Sequence, residues 1–344
     1  MFRAKVAMMS LMIAGAVGQP CSAEPVEGYE CRRPRSERER RYWLEIMSWH
    51  YGFSVAEIKA ATGLDEAEIE SSLEKFQIAP ETRPERAKDA PLLLQPWPGG
   101  RNVSNWGNPV ERTRHRETKA GVFAPWDPTS YIVFDIPEVI RGKYPWLYTS
   151  MVAHEDMRWT VNKIALEKLE WNRRDDGSLD LTREFPNKVV YTARLVPFRN
   201  AVRMRLTLTN GTDDTLDNLS VQNCVFLTAL KGFENEAKPM APVPQDRTPS
   251  SPYNARGTAD GKRWVITAWV PCVRIWGNPR NPCFHSDPKF PDCAPGATQA
   301  VYGWFSFYEG SDIQGEFGRI DRTGWREDRW EDTPAWSESS QGYR

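Results

Sequence analysis

A mainly β chain, a large antiparallel sandwich with a small helical element at its N-terminal end, is the fold the sequence predicts. Two patterns predict it. Apolar residues recur at helical spacing between Arg41 and Phe76. From Pro91 to Ile320, short β-branched and aromatic runs are separated by Pro, Gly and Asp turns. Composition bounds the class further. Lys+Arg total 45 against 46 Asp+Glu, a formal net charge of -1, so a general nucleic-acid binder is not indicated. The 15 Trp are many for 344 residues and divide between core packing and sugar-stacking surface.

The chain opens with Arg3 and Lys5, an apolar run from Val6 to Val17, and Cys21-Ser22-Ala23. That is the pattern of a secretory signal cleaved after Ala23 (1–23), which predicts a secreted or periplasmic protein with no membrane span in the mature chain. Lipidation at Cys21 is disfavoured, because Gln19-Pro20 stand where small residues are wanted. Residues 24–40 are charged and read as a linker. In 41–80, Tyr42, Trp43, Ile46, Met47 and Trp49 give one helical face. Ser54…Glu57 and Asp65…Glu68 read as capping boxes around a Thr62-Gly63 turn. Three short helices resemble a helix-turn-helix, but an acidic candidate recognition helix would repel phosphates, so a helical cap is expected.

A Pro-rich connection follows, and strands dominate 90–320. Tyr131–Ile136, Lys188–Val196 and Leu219–Leu227 are strand-like. In Ala201–Thr209, Val202, Met204, Leu206 and Leu208 alternate with Arg203, Arg205 and Thr207. Trp264–Trp269 and Ala300–Tyr308 read as two further strands joined by a long loop rich in reactive groups. Residues 321–344 are charged and Ser-rich and read as a flexible tail.

The residues HSDPKFPDCAPGAT and GWFSFYEG resemble a block found in an uncharacterised family of secreted bacterial proteins. The segment VRMRLTLTNGTDDTLDNLSVQNCVFL, with Pro98-Gly99-Gly100-Arg101, resembles galactose-mutarotase-like β-supersandwiches. This second resemblance implies a sandwich with a sugar cleft over roughly 91–320. It implies no mutarotase histidines, because Val225-Phe226-Leu227 stand where a His-Pro-Tyr block would follow.

Beyond Cys21 there are five cysteines, Cys31, Cys224, Cys272, Cys283 and Cys293. In an exported chain, one or two disulfides are expected. Cys283 with Cys293 is the expected staple, with Cys272 competing and Cys224 a buried thiol. No zinc-ligand spacing is present, so neither metal nor cofactor is expected.

His285-Ser286-Asp287 is the leading candidate for chemistry. Pro288 restricts Asp287, and an imidazole beside a carboxylate can move protons. Arg274 can steady an anion, and Trp276 can wall a sugar site. His154, in His154-Glu155-Asp156, and Glu309, after Tyr308, are further acid/base candidates. Arg116 and Tyr308 are candidate substrate contacts. His115 reads as part of a solvated charged loop and His50 as structural. These expectations add up to a carbohydrate-active hydrolase or lyase acting on a saccharide at a glycosidic or anomeric centre. The alternative is a non-catalytic glycan- or protein-binding module of the cell envelope.

Overall fold

The computed structural model describes residues 31–104, 110–111, 116–150, 157–233, 238–239, 251–278 and 281–326. The helices α1 (Glu37–Glu45, continued by a π-helical turn, Ile46–His50), α2 (Val55–Thr62) and α3 (Glu66–Phe76) come first. Both capping boxes are formed: Ser54 with Glu57, and Asp65 with Glu68. Gly63, at φ 69°, closes α2 in the left-handed region that favours glycine. Short α4 (Arg158–Val161) and α5 (Ile313–Asp321) lie within and after the strands.

The strands, in chain order, are β1 (Leu94–Pro96), β2 (Gly100–Arg101), β3 (Val110–Glu111), β4 (Lys119–Phe123), β5 (Tyr131–Ile140) and β6 (Tyr148–Thr149). They continue with β7 (Asn172–Arg173), β8 (Leu179–Glu184), β9 (Val190–Pro197), β10 (Ala201–Thr209), β11 (Val221–Phe226) and β12 (Lys238–Pro239). The last are β13 (Tyr253–Gly257), β14 (Arg263–Val270), β15 (Cys272–Asn278), β16 (Cys283–Pro288) and β17 (Thr298–Glu309). One sheet runs β1-β4-β5-β11-β16-β15, with β6 on β5. The other runs β12-β13-β14-β17-β10-β9-β8-β7, and β2 pairs β3 apart from both. The ladders are antiparallel, so the fold is a β-sandwich with few helices.

The alternation read along β10 holds: Val202, Met204, Leu206 and Leu208 enter the core between the sheets. There Phe134 of β5 meets Phe305 of β17 edge to face, 4.9 Å between ring centres. Other joins differ from the sequence reading. β10 and β11 are consecutive but lie in different sheets, so the Asn210-Gly211 turn carries the chain across the sandwich. The long reactive loop is instead a hairpin, β15–β16, added to the first sheet. Its apolar residues Ile275 and Phe284 are buried, which draws the segment into strands despite its many prolines.

The predicted Cys283–Cys293 staple is not formed; Cys224, Cys272, Cys283 and Cys293 are all free thiols. Cys283 opens β16 on the face that meets the helical cap. Cys293, beyond the other end of that strand, exchanges backbone hydrogen bonds with Leu216 and packs in the main core. A strand advances about 3.3 Å per residue, so the two thiols are carried apart. The segment read as a linker is partly ordered: Arg32 pairs with Glu117 and Glu170. The start of the segment read as a tail is packed as well. Trp325 is buried and donates to the Tyr253 hydroxyl at 3.0 Å. No helix among the described residues is long and apolar enough to cross a membrane.

The cap docks on the outer face of the first sheet through Tyr51. Its hydroxyl donates to the Gln95 carbonyl at 2.9 Å and accepts from the Gly121 amide at 3.1 Å. A side chain at Gly121 would overlap that hydroxyl. Arg101 ties the same seam, donating to Glu57, the Tyr51 carbonyl and the Tyr131 hydroxyl. His50 ends the π-helical turn against Phe123, with its Nδ1 buried and without a hydrogen bond. Burial, then the charges of Arg83, Arg173 and Arg86, bring its pKa down from 6.5 to about 4. The unfolded chain therefore takes up this proton first. We expect stability to be lost as pH falls from about 6.5 towards 4, by ~3 kcal/mol at most. Urea titrations of wild type and His50→Gln across that window check it, because the substitution should reduce the slope there by the His50 share, leaving that of His285, which burial also holds neutral.

Candidate active site

The outer face of the first sheet, beside the cap, gathers the ionisable groups. Along β16, Phe284 enters the core, so Cys283, His285 and Asp287 point outward. On β15, Arg274 stands opposite Asp287 and Trp276 opposite His285. β11 adds Gln222 and Cys224. Between these two the pairing with β5 slips, so that Gln222 faces Val139 and Cys224 faces Asp135. Ile136, Pro137 and Glu138 bulge opposite Asn223. Pro137 has no amide hydrogen to give to a ladder, and the bulge aims Glu138 outward beside Gln222.

The contacts are dense. Arg274 donates to Asp287 Oδ2 from Nε at 2.9 Å and from Nη2 at 2.7 Å. Trp276 Nε1 donates to the same oxygen at 2.8 Å, and the Asn223 amide reaches Oδ1 at 3.2 Å. The Trp276 ring stacks on His285, centres 3.8 Å apart and 7° between planes, and the Arg274 guanidinium lies 4.7 Å over it. His285 Nδ1 sits 3.9 Å from both Glu138 Oε2 and Asp287 Oδ1. Gln222 donates to Glu138 at 2.6 Å. The amide oxygen of Gln222 accepts from two arginines, Arg141 at 2.6 Å and Arg274 at 3.3 Å. Deeper in, Asp135 accepts from Lys119 at 2.7 Å, Thr118 at 2.5 Å and Ser150 at 2.6 Å.

Burial governs the charges. His285 is 1% exposed and Asp287 2%. Burial, then the Arg274 charge, lowers the His285 pKa to about 3, so the ring is neutral. Burial raises Asp287 against the opposing pull of Arg274. Burial first, then the Asp135 charge, pushes Glu138 up to about 8. Burial, then the neighbouring Arg274, lowers Arg141. Among the described residues, the His285 Nδ1 and both side-chain polar atoms of Asn223 are buried without hydrogen-bond partners. The same holds for other buried atoms of the fold, such as His50 Nδ1 and the Tyr148 hydroxyl, so it does not by itself mark this face.

The structure thus brings together His285, Asp287, Arg274 and Trp276 from the sequence reading. It does not bring the others. Tyr308 and Glu309 belong to β17 in the second sheet; Glu309 is exposed and pairs with Arg263 at 3.1 Å. Arg116 is buried beneath the cap, donating to the Pro98 carbonyl at 2.6 Å and lying over Trp43, which is a packing role. His154 and His115 lie outside the described residues. Trp276 is held between His285 and Arg274, so it orients them and leaves little ring for a sugar. Sequence reasoning missed Glu138, Gln222 and Arg141. A proline inside an otherwise apolar strand, Ile136-Pro137-Glu138, was the available sign of a bulge.

No family model matches the chain, and no curated protein does. Among solved structures it is similar to the Slr1438 protein from Synechocystis sp. PCC 6803, at 11% identity and a TM-score of 0.35, over 56% of this chain and 88% of that one. It is also similar to a galactose mutarotase related enzyme from Lactobacillus acidophilus, at 11% identity and a TM-score of 0.33, over 59% and 93%. A third is heparan sulfate lyase HepC from Pedobacter heparinus, at 10% identity and a TM-score of 0.35, over 80% of this chain and 57% of that chain.

Proposed function

We propose that the protein is an exported carbohydrate-active enzyme that takes an acidic saccharide on the outer face of the first sheet. It acts at a glycosidic or anomeric centre by general acid/base catalysis, as a hydrolase or a lyase. One observation carries the reading: Arg141 and Arg274 converge on a single neutral amide oxygen, that of Gln222. Two guanidinium groups sharing one acceptor repel each other, and a carboxylate or sulfate of a sugar relieves that repulsion with charge-assisted hydrogen bonds. Glu138 lies directly below Gln222 and is the most exposed of the three acid/base groups, its side chain at 11% against 3% for Asp287 and 2% for His285. It takes the proton-transfer role, with His285 between the two carboxylates.

The test is a panel of neutral and acidic polysaccharides given to the purified protein. New reducing ends report hydrolysis, and the ultraviolet absorbance of an unsaturated uronate reports elimination. Products should come from acidic polymers only. Arg141→Ala should weaken their binding about 10- to 100-fold, the value of one hydrogen bond to a charged group. Equal turnover of neutral polymers would overturn the reading. The deep burial of His285 and Asp287 favours a second reading, a non-catalytic glycan-binding module. That reading requires affinity for the same polymers, equally sensitive to Arg141→Ala, with no product.

A further inference from the structure

On the other edge of His285 the chemistry changes. Cys224 of β11, with Cys283 and His285 of β16, places two thiols and an imidazole nitrogen within 4.8 Å of one another. All three residues are buried. Cys283 Sγ lies 3.7 Å from His285 Nε2. We propose that these three residues form a binding site for one thiophilic d10 metal ion, Cu(I) or Zn(II). The proposal does not depend on the saccharide reading.

Geometry supports it first. Cys224 pairs with His285, and Phe226 pairs with Cys283, so the two cysteines are diagonal neighbours across the ladder. Diagonal Cα atoms in an antiparallel pair are about 7–8 Å apart, beyond the reach of an unstrained disulfide. An ion between the two sulfurs spans that gap. With metal–sulfur bonds of about 2.3 Å and metal–nitrogen bonds of about 2.0 Å, donors around a three-coordinate ion stand ~3.7 Å apart, sulfur to nitrogen. The Cys283–His285 separation already has that value.

The surroundings support it too. His285 presents Nδ1 towards Glu138 and Asp287 and Nε2 towards the thiols. Each carboxylate oxygen is 3.9 Å from Nδ1, which leaves Nε2 as the ring nitrogen on the thiol side. The guanidinium of Arg256 is buried at 8% exposure, and its hydrogen bonds go to the Asn254 amide oxygen and the Ala255 carbonyl. Among the described residues no carboxylate pairs with it, and it lies 5.2 Å over the ring of Phe284, the residue after Cys283. A buried cation this close to β16 favours the net negative charge of two thiolates on Cu(I). Metal entry displaces the two thiol protons to solvent, with no change of oxidation state.

The experiment uses the full chain, reduced and stripped with a chelator, titrated separately with Zn(II) and Cu(I) against chromophoric competitors. One equivalent of at least one ion should bind. Cys224→Ser and Cys283→Ser should each lose about 100-fold or more in affinity, since even the outer partners of a ligand matter 10- to 100-fold. Cys293→Ser, outside the cluster, should bind as wild type does. X-ray absorption of the loaded wild-type protein should show two sulfurs at about 2.3 Å and one nitrogen at about 2.0 Å, which reads the site even where a serine variant fails to fold. Absence of stoichiometric binding, a metal shell of oxygen and nitrogen alone, or affinity untouched by both serine substitutions would overturn the proposal. None of these outcomes bears on polysaccharide turnover by Glu138.

Discussion

Asp135→Ala should cost the fold about 3–5 kcal/mol, the value for removing one partner of a buried ion pair. Asp135 is 2% exposed on β5 and accepts from the Lys119 ammonium, the Thr118 hydroxyl and the Ser150 hydroxyl. Lys119 lies on the adjacent β4, directly opposite in register. The alanine variant strips a 6%-exposed ammonium of this carboxylate and takes an acceptor from two buried hydroxyls. Ion pairs on the surface behave differently, and Arg263→Ala, which breaks the exposed pair with Glu309, should cost under about 1 kcal/mol. The double variant Lys119→Met with Asp135→Leu should recover most of the loss, because apolar groups of similar volume replace a buried pair at little cost. Urea midpoints of the four proteins decide it. A loss below about 1 kcal/mol in Asp135→Ala would mean that water reaches this pair.

How much of this was legible beforehand depends on the range of each interaction. The caps Ser54/Glu57 and Asp65/Glu68 are local, four residues each, and both form as read. The alternation of β10 is local as well, and its apolar side is the core side. Partner choice is not local. β14 and β17 pair with each other, while the hairpin between them in sequence leaves for the other sheet. Nothing within Cys272–Pro288 states that Arg274 will stand opposite Asp287, although both residues attracted notice singly. Glu138, Gln222 and Cys224 were harder still, because each reaches the site through pairings with strands far away in sequence. The expected disulfide failed for the same reason. Proximity along the chain suggested Cys283 with Cys293, but an extended strand separates neighbours in sequence and joins Cys283 to Cys224 instead.

Glu138→Gln should reduce turnover of the acidic polysaccharide by about 10²- to 10⁴-fold, the range for loss of a general acid or base. The side chain stands where β5 bulges, under the oxygen shared by Arg141 and Arg274, and 3.9 Å from His285 Nδ1. Glutamine keeps its size and keeps an oxygen for the Gln222 amide, now at 2.6 Å from Glu138. It has no proton to give to a leaving oxygen and cannot take one from a sugar carbon. Substrate binding should persist, since the arginines are untouched, so kcat should fall with little change in KM. The melting temperature should hold or rise, because a buried carboxyl is replaced by a neutral isostere. Glu309→Gln, on the exposed end of β17, should leave kcat unchanged. Activity above about a tenth of wild type in Glu138→Gln would remove the carboxyl from the chemistry. Asp287→Asn would then be the discriminating variant, since Asp287 is the other carboxylate 3.9 Å from the same nitrogen.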